Sequence, residues 1–235
     1  MSTAENKLIR SSKPDIERMK AEKDVKGLVA ILDHEDINIR EGAVYALGEL
    51  GGDVTVDVLI KSLNSTNPLV RDNSAYALGA LHDKRAVEPL INALRYVDEN
   101  GVVRVQESVV DSLGEIGDPR AAGPLINLLN EDYTFSARIA LTSIGKEAVK
   151  ALVAAIKNEE IQDRVCDVLI DIGIAAVDEL AEALKDKDEF FRSIIVYTLG
   201  EIGQPECERP LKSALQDKSE DVRDYAYLAL RKIKY

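Results

Sequence analysis

One hexapeptide recurs seven times along this chain of 235 residues and leaves few folds open to it. Ala46-Leu47-Gly48-Glu49-Leu50-Gly51 returns as Ala77-Leu78-Gly79-Ala80-Leu81-His82, as Ser112-Leu113-Gly114-Glu115-Ile116-Gly117 and as Thr198-Leu199-Gly200-Glu201-Ile202-Gly203. Weaker copies are Ala140 to Gly145 and Val168 to Gly173, and a degenerate one ends the chain at Ala229 to Lys234. Successive copies start 28 to 35 residues apart. A unit of that length holds one small motif that cannot bury its apolar faces alone, so neighbouring units must stack.

Each copy closes the second of two helices. In the first unit, helix A is expected over Val25 to Leu32 with Leu28, Ile31 and Leu32 inward, and a turn follows at Asp33 to Asp36. Helix B is expected over Ile37 to Leu50. Its apolar residues Ile39, Ala43, Ala46, Leu47 and Leu50 recur at helical spacing on one face. Gly51-Gly52 ends it, because glycine takes the positive φ that stops a helix. Pro89, Pro124 and Pro210 fall in the first turns of later A helices, where a missing N–H is harmless. No strand signal is present. The expected organisation is a flexible N-terminus at 1–12 and a capping helix at 13–23, with Ser12 as a possible N-cap and Pro14 in its first turn. One continuous array then fills 24–235, with repeats 24–52, 53–82, 83–117, 118–145, 146–173, 174–203 and 204–235.

This pattern resembles the HEAT-like repeat family first recognised in phycocyanobilin lyase subunits. The residues that carry the resemblance are Val70-Arg71, Val222-Arg223 and the Ala-Leu-Gly-x-Leu/Ile-Gly tails. A third element is Asp-x-Arg-Ala followed by Pro-Leu-Ile-Asn, at Asp83 to Asn92 and Asp118 to Asn127. The resemblance implies an all-α, right-handed α-α superhelix whose B helices line the concave face. It is specific for fold and not for function, because the family hosts lyases, hydroxylases and plain adaptors.

Composition narrows the function classes. The net charge is −12, which disfavours a phosphate backbone as partner. No apolar run is long enough for a membrane helix, and residues 1–13 lack the apolar core of a secretion signal. Cys166 and Cys207 lie in different repeats, so a disulfide framework is not expected and a cytoplasmic location is.

Aligning the repeats on the tail glycine sets an arginine at the start of helix B in four of them: Arg40, Arg71, Arg192 and Arg223. A repeated arginine reads as structural, bonding an acidic or carbonyl group of a neighbouring repeat. Repeats three to five carry Gln106, Thr134 and Gln162 instead, and their helix-to-helix connections differ in length. Drift and a specialised central surface both account for that irregularity.

The B-helix stripe opposite the core is acidic. Glu107, Asp111 and Glu115 stand at i, i+4 and i+8, and Asp163, Asp167 and Asp171 repeat the pattern two units later. Like charges at that spacing cost a helix a few tenths of a kcal/mol, which a basic partner would relieve. Phe135 and Ile139 take the matching slots between them, and Tyr45, Tyr76 and Tyr197 take one such slot in other repeats. Apolar anchors ringed by charge suit a binding surface. The alternative is a solvated face with no partner.

No catalytic constellation is found. His34 and His82 are the two histidines, and His34-Glu35 is the one His-Glu pair. Deoxyhypusine hydroxylase, which the resemblance brings in, holds di-iron with several such pairs, so no metal is expected here. A bilin lyase pocket would call for more aromatic and histidine side chains, so no cofactor is expected either. Asp163 and Asp167 flank Cys166 and oppose a thiolate, which makes Cys166 a packing residue. The reading is a non-enzymatic scaffold that binds a basic or amphipathic protein segment across repeats two to six. A lyase-like or cofactor-holding accessory subunit is the alternative.

Overall fold

The computed structural model describes residues 14–97, 103–130 and 133–233. The N-terminus 1–12 and the expected N-cap Ser12 lie outside these residues. A short helix, α1 (Ile16–Ala21), precedes seven helical pairs. They are α2 (Val25–Ala30) with α3 (Ile37–Leu50), α4 (Gly52–Ser62) with α5 (Pro68–Leu81), and α6 (Val87–Ala93) with α7 (Glu107–Ile116). Then come α8 (Ala122–Ile126) with α9 (Thr134–Ile144), α10 (Lys146–Ala155) with α11 (Gln162–Ile172), α12 (Val177–Ala183) with α13 (Glu189–Ile202), and α14 (Glu208–Ala214) with α15 (Glu220–Ile233). The chain packs as two compact units, one ending at Ala121 and the other starting at Ala122.

The first repeat folds as its periodicity dictates. Leu28, Ile31 and Leu32 are fully buried, and Ile39, Ala43, Ala46 and Leu47 carry the inward face of α3. The N-cap of α1 is Asp15, whose carboxylate accepts the Arg18 N–H at 2.9 Å, and Pro14 precedes the cap rather than entering the first turn. An ionised oxygen facing the positive end of the helix makes Asp15 the natural start.

The tail glycines do two separate jobs. The outer one ends the helix at positive φ, as at Gly203 (φ 64°). The inner one admits a neighbouring helix. A Cβ on Gly200 would stand 2.7 Å from the Ala229 Cβ, and one on Gly79 would stand 3.0 Å from the Ser112 Cα. The B helices α13 and α15, and likewise α5 and α7, therefore approach through these glycines.

The repeated arginines do not form the uniform ladder between repeats that their periodicity predicts. Arg40 donates to the carbonyls of His34 and Glu35 at 2.7 and 3.1 Å, and Arg71 to those of Ser65 and Thr66 at 2.9 and 3.3 Å. Arg223 does the same with Asp217 and Lys218. These partners are in the turn of the same repeat, because a guanidinium at the start of helix B sits over the carbonyls left open by helix A. Arg192 holds its own turn through Asp186 and Lys187 and also reaches Asp217 of the next repeat. Arg71 reaches onward too, its guanidinium 4.9 Å from the Tyr96 ring. Where the turn shortens, a shorter side chain makes the same bond: Gln162 to the Ile156 carbonyl at 2.8 Å and Thr134 to that of Leu129 at 3.0 Å.

Repeat three departs from the expected absence of strands. Arg95–Val97 (β1) and Val103–Val105 (β2) pair antiparallel, Arg95 opposite Val105 and Val97 opposite Val103. The connection is too long for a helical turn, and its β-branched residues favour a ladder. The Gln106 N–H closes its base on the Leu94 carbonyl at 3.0 Å.

Candidate functional site

In the unit ending at Ala121, a depression of about 780 Å³ lies along α3 and α5, with Glu115 of α7 at its edge. Ile37, Val44 and Leu69 line it with the rings of Tyr45 and Tyr76. These side chains face outward because they stand opposite the buried stripe: Tyr45 is 68% exposed and Tyr76 44%. Glu41, Glu49, Asp72 and Glu115 bring carboxylates to the same space. Arg40 also lines it, but its guanidinium is spent on the turn carbonyls of its own repeat. Glu49 is paired with Lys20 of α1 at 2.9 Å. Among the described residues no cation pairs with Glu41, Asp72 or Glu115. The surroundings of Tyr76 show the resulting field. Burial first, then the charges of Asp111, Asp72, Glu107 and Glu115, hold its phenol above the usual tyrosine range. The hydroxyl therefore stays neutral and able to donate.

Tyr45, Tyr76 and Glu115 thus come together as neighbours in one cavity. Glu107 and Asp111 stand beside it on α7 and act on Tyr76 through charge. Burial, and then the Glu107 charge, push the Asp111 carboxyl up.

In the unit starting at Ala122, Phe135 and Ile139 are exposed on α9 (75% and 49%). A depression of about 320 Å³ lies along α11 and α13 with Tyr225 of α15, and takes in Asp163, Asp167 and Tyr197. The column Asp163, Asp167, Asp171 is not the row of unmatched charges expected of it. Arg138 of α9 donates through Nε and Nη2 to Asp171 at 2.5 and 2.9 Å, and through Nη1 to Asp167 at 3.3 Å. Arg138 lies off the stripe in its own repeat, and its long side chain crosses to the next helix. Of the three, Asp163 alone has no cationic partner among the described residues. Burial, ahead of Asp163 and Asp167, holds the Cys166 thiol above its ordinary range despite a hydrogen bond with Thr198, and so disfavours the thiolate.

Other residues of these cavities went unread. Leu69 in the first, and Phe190, Ile194 and Tyr225 in the second, occupy the same aligned stripe positions. Weighting aromatic and aliphatic residues on that stripe as heavily as acids would have found them.

His34 is buried, and its Nδ1 accepts the Asp36 N–H at 3.0 Å, so the lone His-Glu pair shapes a turn. Among the described residues, no group of three or more His, Cys, Asp or Glu gathers as a metal site, and no helix is long and apolar enough to cross a membrane.

The family model of HEAT repeats matches residues 25–104, 56–145 and 177–235. The chain belongs to the HEAT repeat family. Several solved structures align with it. The archaeal HEAT-like repeats protein from Thermococcus onnurineus NA1 is 12% identical, covering 89% of this chain and 97% of that one at a TM-score of 0.49. The complex of CpcE and CpcF of phycocyanin lyase from Nostoc sp. PCC7120 is 22% identical, covering 89% and 94% at 0.44. Human deoxyhypusine hydroxylase in complex with glycerol is 19% identical, covering 94% and 99% at 0.40. No curated protein matches the sequence. Within this HEAT array both depressions form on the outward face of B helices, where side chains are free of the core.

Proposed function

We propose that the protein is an interaction scaffold, and that the depression along α3 and α5 takes a basic, amphipathic protein segment. The observation that carries this reading is the joint placement of Tyr45, Tyr76, Ile37 and Leu69 with Glu41, Asp72 and Glu115, three carboxylates with no cationic partner among the described residues, in one cavity. Apolar residues of the segment would sit on the tyrosine rings and its lysines or arginines on the carboxylates. Anchors inside a charged rim are the usual division of labour at protein interfaces. Glu107 and Asp111 extend the negative field, and Phe135, Ile139, Asp163, Asp167, Asp171 and Tyr197 offer the second unit's own surface for the same kind of partner.

The test is titration of the full chain with a helical Lys/Leu amphipathic peptide, followed by tyrosine fluorescence. Tyr76→Ala leaves the net charge unchanged, so it separates a seated ligand from general attraction to an acidic protein. Its affinity is expected to fall about tenfold, as for an interface anchor, and wild-type binding is expected to weaken with added salt. Equal affinity of wild type and Tyr76→Ala would remove the reading.

A second reading has one observation in its favour. A cavity of about 780 Å³ with an apolar lining is within the usual size of small-molecule sites, which suits a cofactor-holding accessory subunit. Absorbance of the protein above 300 nm after purification from its native lysate would support that reading.

A further inference from the structure

We infer that the depression formed by α11, α13 and Tyr225 is a separate binding site for an organic ammonium ion, either a quaternary amine or the methylated side chain of a lysine. Its walls combine two features that each select a cation. The first is aromatic: Phe190, Tyr197 and Tyr225 line one space of about 320 Å³ and are 60%, 50% and 47% exposed. A ring face attracts a positive charge, most of all one whose methyl groups shed water easily. The second is the carboxylate of Asp163.

The partners at this place are unused. At three other rings the protein supplies its own cations: Arg71 over Tyr96, Lys157 over Phe191 and Arg231 over Tyr227. Among the described residues none covers Phe190, Tyr197 or Tyr225. Asp167, the other acid that lines this cavity, is matched by Arg138 at 3.3 Å. Asp163 has no cationic partner among the described residues. Three open rings and one open carboxylate around a cavity with room for an alkylammonium head complement a single positive charge with an apolar coat. A strongly hydrated ion such as sodium gains little from such walls. Cys166 adds no competing charge, since burial keeps it a neutral thiol.

This site is independent of the α3 and α5 depression, so Tyr76→Ala serves as a control that leaves it intact. The experiment titrates the full chain with choline, with its uncharged tert-butyl analogue 3,3-dimethylbutanol, and with a neutral peptide carrying one trimethyllysine, at constant ionic strength. Ring-proton NMR shifts report the binding. Saturable shifts with the cationic probes and none with dimethylbutanol are expected. Tyr197→Ala should lower the affinity about two- to fivefold, the worth of one ring, and Asp163→Asn should lower it as well, with the helical circular dichroism unchanged. Choline binding as well as the peptide would identify a free small molecule as the ligand, and peptide binding alone a modified partner. Equal binding of dimethylbutanol, or affinity unmoved by both substitutions, overturns the proposal.

Discussion

Arg192 grips Asp217 with two parallel hydrogen bonds, Nε to Oδ2 at 2.8 Å and Nη2 to Oδ1 at 2.7 Å, joining repeat six to repeat seven. Both side chains are largely buried, at 3% and 14% exposure. The same guanidinium holds the Asp186 and Lys187 carbonyls, and the same carboxylate accepts the Ser219 N–H at 2.8 Å. Removing one member leaves the other charge buried and alone, so Arg192→Ala is expected to destabilise the protein by about 3–5 kcal/mol, read by urea denaturation.

That pair also sets a pH dependence. Arg192 holds the Asp217 carboxyl below its usual range. A depressed folded pKa adds stability that is complete above the unfolded value of about 3.9 and is lost as pH falls through the folded one. Asp217→Asn should therefore cost stability at pH 7 and converge on wild type in strong acid. Parallel denaturation curves at neutral and acid pH check this.

Asp111 carries the opposite sign. Its folded pKa is raised by burial and by Glu107, so stability falls as pH climbs from the unfolded value through the folded one. Asp111→Asn is expected to match or exceed wild type at pH 7, with the difference fading below about pH 3.9. Thermal melts across that range read it out.

The two kinds of glycine predict opposite responses to alanine. Gly200→Ala sets a methyl against Ala229, and such overpacking costs about 1–3 kcal/mol, more than the helix propensity of alanine returns. Gly123 in α8 has nothing within 4 Å of an added Cβ, so Gly123→Ala should stabilise by about 0.4–1 kcal/mol. Melting temperatures of the two variants should move in opposite directions.

Arg138 is a surface residue whose loss should be felt in binding rather than folding. It and its partners are 35–55% exposed, and pairs of that kind contribute about 0–1 kcal/mol. Arg138→Gln is expected to keep its melting temperature while freeing Asp167 at the edge of the ammonium site, so choline should bind more tightly. Weaker or equal choline binding in this variant would count against that site.

Local chemistry in the chain determined the repeat and the helix pairs. Leu28 and Leu47 recur at the spacing that puts them inside, the tail glycines end the B helices, and Ile37–Leu50 runs over the span its periodicity predicts. These are short-range effects of backbone freedom and side-chain spacing, so they can be read without neighbours. Tertiary structure alone decided which partners the long polar side chains found. Arg40 turned to the carbonyls of its own repeat's turn, Arg192 crossed to the next repeat, and Arg138 reached Asp167 and Asp171 from a position off the stripe of its own helix. It also decided that Tyr76 and Glu115 share a cavity with Leu69, and that Phe190 and Tyr225 join Tyr197 and Asp163. A guanidinium or an aromatic ring reaches several ångströms beyond its own helix, so its company depends on how helices pack.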